Sequence, residues 1–388
     1  RILESQLDGQ TKAFYTTLDD SLFVRVILLI EFNEKNRTKL DEERLEKILQ
    51  QAGRAWDELL EEEFNVNHSG NADHLIETYC GAFPVAYREA HAPEQGVKDV
   101  LNIEDLQETG KLQLDLYRPS DLQDNQLRLK IYAPDKPVVL SAILPLLENF
   151  GLQVISELPY KIELKNQQEE TFVWIQDFLL EITHEADTIQ MDKVKDKFEE
   201  AFKNIWEQKT ASDSLNRLVF KANMNWREIF VLRTYTHYMR QLNHSFSPSY
   251  ISSALTENPK MARLLVDLFC ARMNPDTEEN CEDLCDHYMD AINEEMASVE
   301  LLDHDRILRG MWDVIAATLR TNFYQMDEEG NPKDYVSIKL DSKSISDLPD
   351  PKPYREIYVY SPRMEGIHLR GGPIARGGIR WSDRLEDY

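Results

Sequence analysis

The chain has 388 residues, 42% hydrophobic and 10% aromatic, with 70 acidic against 44 basic side chains and a formal net charge of -26. Such a length and apolar share predict several packed domains, and the acidic balance, which repels phosphate backbones and anionic lipid, argues against nucleic acid and membrane as partners. No run approaches the roughly 20 apolar residues of a membrane span and RILESQLDGQ lacks the apolar core of a secretory signal, so a soluble, cytoplasmic protein is expected.

Residue 1 is not Met, and KAFYTTL and LFVRVILLIEF, separated by Asp19, Asp20 and Ser21, predict a hairpin close to the first residue. An internal piece of a longer protein is the expectation. Residues 41–61 set Leu45, Ile48, Leu49, Ala52, Trp56, Leu59 and Leu60 on one helical stripe opposite Glu and Lys, the pattern of an amphipathic helix docked on a core. The polar stretch NVNHSGNAD (65–73) predicts a link, followed by a short helical region around TYCGAFPVAYREA and a charged helix near 98–107.

From 111 the period changes to two. KLQLDLYRP and QLRLKIYAP alternate and each ends in proline, which cannot extend a ladder. LSAILPLLENFGL predicts a helix closed by Gly151 as a left-handed cap, QVISELPYKIEL and TFVWIQDFLLEIT predict two strands, and Val194, Phe198, Ala201, Phe202 and Ile205 predict a helix over 190–208. Strand, helix, strand, strand, helix is the order of a split β-α-β ferredoxin-like unit, for which 112–118 is available as a fourth strand.

Residues 213–326 predict helices throughout. WREIFVLRTYTHYMRQL, MARLLVDLFCARM and RILRGMWDVIAATLRTNFY each show three-to-four spacing, the last through Leu308, Met311, Trp312, Ile315 and Leu319. Aromatics at that spacing read as core. His237, His244 and His304 have no nucleophile or ligand at telling spacing and read as structural or solvated. The four cysteines are Cys80, Cys270, Cys281 and Cys285. Cys281 and Cys285 share a helical face near His287, but only Cys270 is at hand to complete a ligand set, so ordinary thiols and no metal are expected.

VSIKLD then predicts a short strand, SDLPDPKPY a stiff connector, and REIYVYSP with EGIHLRG the paired strands of a new domain. Residues 355–388 hold six arginines (Arg355, Arg363, Arg370, Arg376, Arg380, Arg384) against five acids, a cationic spot on an acidic body that would draw an anionic substrate. Five of the 14 glycines fall between 366 and 378. In GGPIARGGIR, paired glycines allow close backbone approach and guanidinium forks match carboxylate or phosphate. An anion-binding loop and a tight β-turn with surface arginines both satisfy this pattern. Neither the P-loop nor the G-x-G-x-x-G pattern occurs in the chain.

HLRGGPIARGGIRWSDRLEDY resembles the large-subunit NAD-specific glutamate dehydrogenases of bacteria. LRLKIYAPDKPVVLSAILPLLENFGLQVISELPY, FVWIQDFLLE, NWREIFVLRTYTHYMRQ and FSPSYI extend the resemblance over the whole chain. It implies an α+β multidomain fold in which ferredoxin-like (ACT-type) βαββα units precede an all-helical region and the opening strands of an α/β catalytic domain. The implied division is the end of an ACT-like domain (1–64), a helical connector (65–110), an ACT-like domain (111–210), a helical region (211–328) and the start of the glutamate-binding domain (329–388).

The implied reaction is oxidation of L-glutamate by NAD to 2-oxoglutarate and ammonium. In that family the catalytic lysines and the NAD site lie beyond residue 388, so no catalytic, cofactor-binding or metal residue is expected here. The small hexameric glutamate dehydrogenases are similar at a K-G-G-[IL]-R loop, where Arg376 replaces the lysine ahead of Gly377, Gly378 and Arg380. Arg376 and the Gly371, Gly372, Gly377 and Gly378 backbone are expected to shape the glutamate pocket, with Arg380 a substrate contact or a structural clamp. ACT-like domains commonly bind amino acids at a glycine-containing turn after their first strand. The turn here reads APDKP, which points to interface building and a homo-oligomer. A regulatory or oligomerisation scaffold without its own activity is the alternative reading.

Overall fold

The computed structural model describes residues 9–18, 24–32, 56–67, 70–165, 171–183, 190–242, 246–276 and 281–374. The chain forms two compact units that meet in sequence between Val100 and Leu101, and each is taken by itself.

In the first unit, β1 (Gly9–Leu18) and β2 (Val24–Phe32) pair antiparallel, from Gly9 opposite Phe32 to Leu18 opposite Val24. The expected hairpin is present; its turn residues lie outside the described residues. Helices α1 (Trp56–Asn67), α2 (Ala72–Tyr79), α3 (Val85–Ala90) and the first half of α4 (Pro93–Thr109) follow. The link expected at 65–73 is shorter than its polarity suggests, because Phe64 continues the stripe of Leu60, both fully buried, and carries α1 through Asn67. The rest of the stripe at 41–55 lies outside the described residues. Trp56, Phe83 and Tyr87 form an aromatic cluster with centroids 4.6 to 5.9 Å apart. Tyr87 donates to the buried Asp99 at 2.5 Å. A Cβ on Gly96 would lie 2.8 Å from the Trp56 ring, so only glycine lets α4 come this close.

The second unit contains the ferredoxin-like sheet. Strands β3 (Gln113–Tyr117), β4 (Gln126–Pro134), β5 (Leu152–Leu164) and β6 (Thr171–Ile182) stand in the order β3-β4-β6-β5, with β4 antiparallel to both β3 and β6. The segment available as a fourth strand is therefore the edge strand beside β4. Helices α5 (Leu140–Asn149) and α6 (Met191–Trp206) cover one face. Leu127, Leu129 and Ile131 alternate along β4, Phe178, Leu180 and Ile182 along β6, and all six are buried against Ile143, Leu147, Phe150, Phe198 and Phe202. Gly151 ends α5 at φ +79°, the left-handed conformation its position requires. The free edge of β3 is partly covered by α6, where Glu199 accepts the Leu116 N–H at 2.8 Å and Lys195 pairs with Asp115.

The helical region holds α7 (Trp226–Tyr238), α8 (Pro248–Glu257), α9 (Pro259–Met273), α10 (Cys281–Met296) and α11 (Leu302–Ala316). Asn225 and Glu228 form a capping box on α7, and Pro248 and Pro259 occupy first turns, where a missing N–H costs nothing. Arg233 on α7 is 1% exposed. Its Nε and Nη2 donate to the two oxygens of Asp213 at 2.6 and 3.0 Å, Nη1 to Thr210 Oγ1 at 2.8 Å and Nη2 to Asn216 Oδ1 at 2.8 Å. Asp213 also caps the 3-10 turn Ser214–Arg217 through the Leu215 N–H.

Helix does not continue to 326. After α11 the chain turns into β7 (Thr318–Thr321), which joins β8 (Val336–Leu340), β9 (Arg355–Ser361) and β10 (Met364–Arg370) in an antiparallel sheet ordered β10-β9-β8-β7. The helical stripe stops because Arg272 takes the Ala316 carbonyl at 2.8 Å and the Thr318 hydroxyl takes that of Val314 at 2.9 Å. Leu319, expected on the stripe, is 44% exposed.

One face of this sheet docks on α7. Tyr238 donates to the fully buried Glu356 at 2.6 Å, while Glu365 accepts from Tyr358 at 2.6 Å and Arg240 at 2.9 Å and meets His237 Nδ1 at 3.2 Å. Burial pushes the Glu365 carboxyl up, but the hydrogen bonds from His237 and Tyr358 and the charges of His237 and Arg240 outweigh it and hold the group below its ordinary 4.5.

Two expectations follow. Asp213→Ala leaves the Arg233 guanidinium buried without its counterion and should destabilise the protein by about 3–5 kcal/mol in urea denaturation; a loss under about 1 kcal/mol would show that the pair is not a stability determinant. Because the folded pKa of Glu365 lies below its unfolded value, its contribution is present above about pH 4.5 and lost as pH falls through the folded pKa. The stability advantage of wild type over Glu365→Gln should therefore shrink as the pH falls below the ordinary 4.5; an advantage that stays constant with pH contradicts this assignment.

Candidate anion-binding site

Strand alternation sorts β9 and β10 into two chemistries. Glu356, Tyr358, Tyr360 and Ile367 are buried toward the helices, while Arg355 and Arg370, opposite each other in the ladder, stand on the other face. The same face of the neighbouring strands carries Lys339 opposite Arg320. These four cations line one cleft of about 470 Å³ together with Leu319, Tyr354 and Pro373.

Their surroundings differ. Arg355 pairs with Asp341 at 2.7 Å and lies 4.5 Å over the Tyr354 ring. Arg370 donates from Nη2 to the Pro373 carbonyl at 2.7 Å, while its Nε is buried without a hydrogen-bond partner among the described residues. Arg320 and Lys339 make no ion pair among the described residues. The Tyr354 N–H donates to the Arg370 carbonyl at 2.7 Å, so the ladder runs to the end of β10 and the chain leaves the sheet at Gly371.

Of the residues expected to shape the substrate loop, Gly371 and Gly372 follow directly on this cationic edge, and a Cβ on either would meet nothing within 4 Å among the described residues. Arg376, Gly377, Gly378 and Arg380 lie outside the described residues. The structure adds Arg320 and Lys339, which the sequence reading missed because it kept Arg320 inside a helix; the signal available was the alternation of TLRT and VSIKL once both are taken as strands.

His237 is held by Glu365, and His304 is buried, with Nδ1 3.2 Å from Asn258 Nδ2; His244 lies outside the described residues. Burial, reinforced by Asp57 and Glu61, pushes the Cys80 thiol up to about 11, and burial also raises Cys270, which keeps both thiols protonated at neutral pH. Cys285 is buried in the helical core. Among the described residues no three His, Cys, Asp or Glu side chains gather into a metal-binding group, and no helix is long and apolar enough to cross a membrane.

Five family models match the chain in succession: glutamate dehydrogenase ACT2 domain over residues 1–57, helical motif 2 over 69–106, ACT3 domain over 111–194, helical motif 3 over 210–275, and bacterial NAD-glutamate dehydrogenase catalytic domain over 291–388. The NAD-specific glutamate dehydrogenases of Halomonas elongata and Pseudomonas aeruginosa are each 38% identical over 390 and 396 aligned residues, covering 100% of this chain and 24% of the relative. That of Mycobacterium tuberculosis is 33% identical over 368 residues, 92% of this chain and 22% of the relative. The chain thus spans about a quarter of the length of the curated relatives it matches. With the ACT, helical and catalytic models matched in unbroken order and 38% identity along its whole length, the chain belongs to the bacterial NAD-glutamate dehydrogenase family.

Proposed function

We propose that the chain works as part of a cytoplasmic NAD-dependent glutamate dehydrogenase, which oxidises L-glutamate to 2-oxoglutarate and ammonium. The observation that carries this reading is the β9–β10 hairpin, whose cationic end runs into Gly371 and Gly372, the first residues of GGPIARGGIR, within the catalytic-domain match. In this reading Arg376 holds a substrate carboxylate, the backbone of Gly371, Gly372, Gly377 and Gly378 approaches the substrate closely, and Arg380 binds substrate or clamps the loop. NAD supplies the hydride acceptor. Residues here do not fit it: the β7–β10 sheet is antiparallel and no dinucleotide fingerprint occurs in the sequence, so we assign NAD to a domain C-terminal to this chain.

The remaining length is assigned to assembly. We divide it as an ACT-like end (1–64), a connector (65–110), an ACT-like domain (111–210) and a helical region. The glutamate-binding part is set at 329–388, and the pairing of β7 with β8 supports counting β7 with it. In the turn after β4, Gln176 accepts the Val138 N–H at 2.6 Å and donates to the Val138 carbonyl at 3.1 Å. The Val138 N–H and carbonyl, just after the glycine-free APDKP turn, are thereby occupied, which supports interface building over effector binding there; we assign the assembly as a homo-oligomer.

The test is steady-state NADH formation by the full-length protein. Arg376→Ala should lower kcat/KM for glutamate about tenfold or more, the loss of a charge-assisted contact; an active enzyme with unchanged kcat/KM removes Arg376 from the substrate site, and no activity in folded wild type removes the assignment.

A further inference from the structure

The outer face of the β7–β10 sheet opposes like charges twice, Arg355 to Arg370 and Arg320 to Lys339. Like charges directly opposite across a ladder destabilise it. Among the described residues the acid paired at this face is Asp341, and it is engaged by Arg355. Arg370 is held in place by the Pro373 carbonyl with its Nε buried and unpartnered. A guanidinium with an unused donor, beside two cations that make no ion pair among the described residues, is an arrangement that a bound anion can complete.

From this geometry we propose that the cleft binds a small phosphate monoester. A carboxylate carries one charge, whereas a phosphate monoester gathers about -1.5 to -2 and three strong acceptor oxygens, which suits a cleft lined by Arg320, Lys339 and Arg370. A volume of about 470 Å³ exceeds what the anionic group needs and falls in the range of small organic ligands. Leu319, Tyr354 and Pro373 supply apolar wall for the organic part. The proposal rests on the geometry of the sheet and not on the reaction assigned above.

Calorimetric titration of the full-length protein with glycerol 2-phosphate, with succinate as the dicarboxylate comparison, tests it. Saturable binding of the phosphate ester is expected, weakened about tenfold or more by Lys339→Gln and by Arg320→Gln and retained in Lys339→Arg, with succinate weaker throughout. Because both glutamine variants relieve a like-charge pair, neither should lower the melting temperature. Absence of saturable binding, equal affinity in wild type and both glutamine variants, or tighter binding of succinate would each overturn the assignment.

Discussion

A guanidinium buried away from water is costly unless its nitrogens find oxygens, and at Arg233 all three do. Its two-pronged bond to Asp213 and its bonds to Thr210 and Asn216 tie the segment leaving the ferredoxin-like unit to the middle of α7. Ten residues of α7, from Trp226 to Tyr238, are buried, so the helix is a post enclosed by its neighbours and not a surface helix with one wet face. At its start Arg227 does a related job without any acid. Phe323 and Lys333 carbonyls accept its Nη atoms at 2.8 and 3.1 Å, the Phe323 ring lies 4.5 Å away, and burial pulls its pKa down to about 10.

The sheet that carries the candidate site leans on this post. Phe230 meets Tyr360 at 5.5 Å, Tyr238 meets Tyr358 at 5.5 Å, and the carboxylates of Glu356 and Glu365 are held by Tyr238, Tyr358, Arg240 and His237. Negative charge therefore faces the helices and positive charge faces outward, across a single layer of strands. The strand period of two makes this separation available to a short hairpin: consecutive residues Arg355 and Glu356 serve opposite faces. One hairpin can thus be anchored by one chemistry and present another, with Gly371 and Gly372 following at its end.

Much of the fold was legible in the residues. Alternation predicted β4, β5, β6, β9 and β10, Gly151 marked the end of α5 by its conformational freedom, and the Val194 to Ile205 stripe predicted α6. Periodicity misread 317–321, since the stripe of α11 runs on in the sequence while Arg272 and Thr318 close the helix in space. That one error hid Arg320, and with it the pairing with Lys339 that turns two unremarkable cations into a cleft wall.

By itself the sequence determined the class of the protein, its acidic character, the order of its strands and helices, and the glycine and arginine motif with its family resemblance; each of these depends on residue types at short separation. Tertiary structure alone decided that Asp213 serves Arg233, that β3 is an edge strand, that β7 is a strand, and that Arg320, Lys339, Arg355 and Arg370 share one face. These depend on which distant segments pair and in what register, and a one-residue slip in that register would send each cation to the buried side.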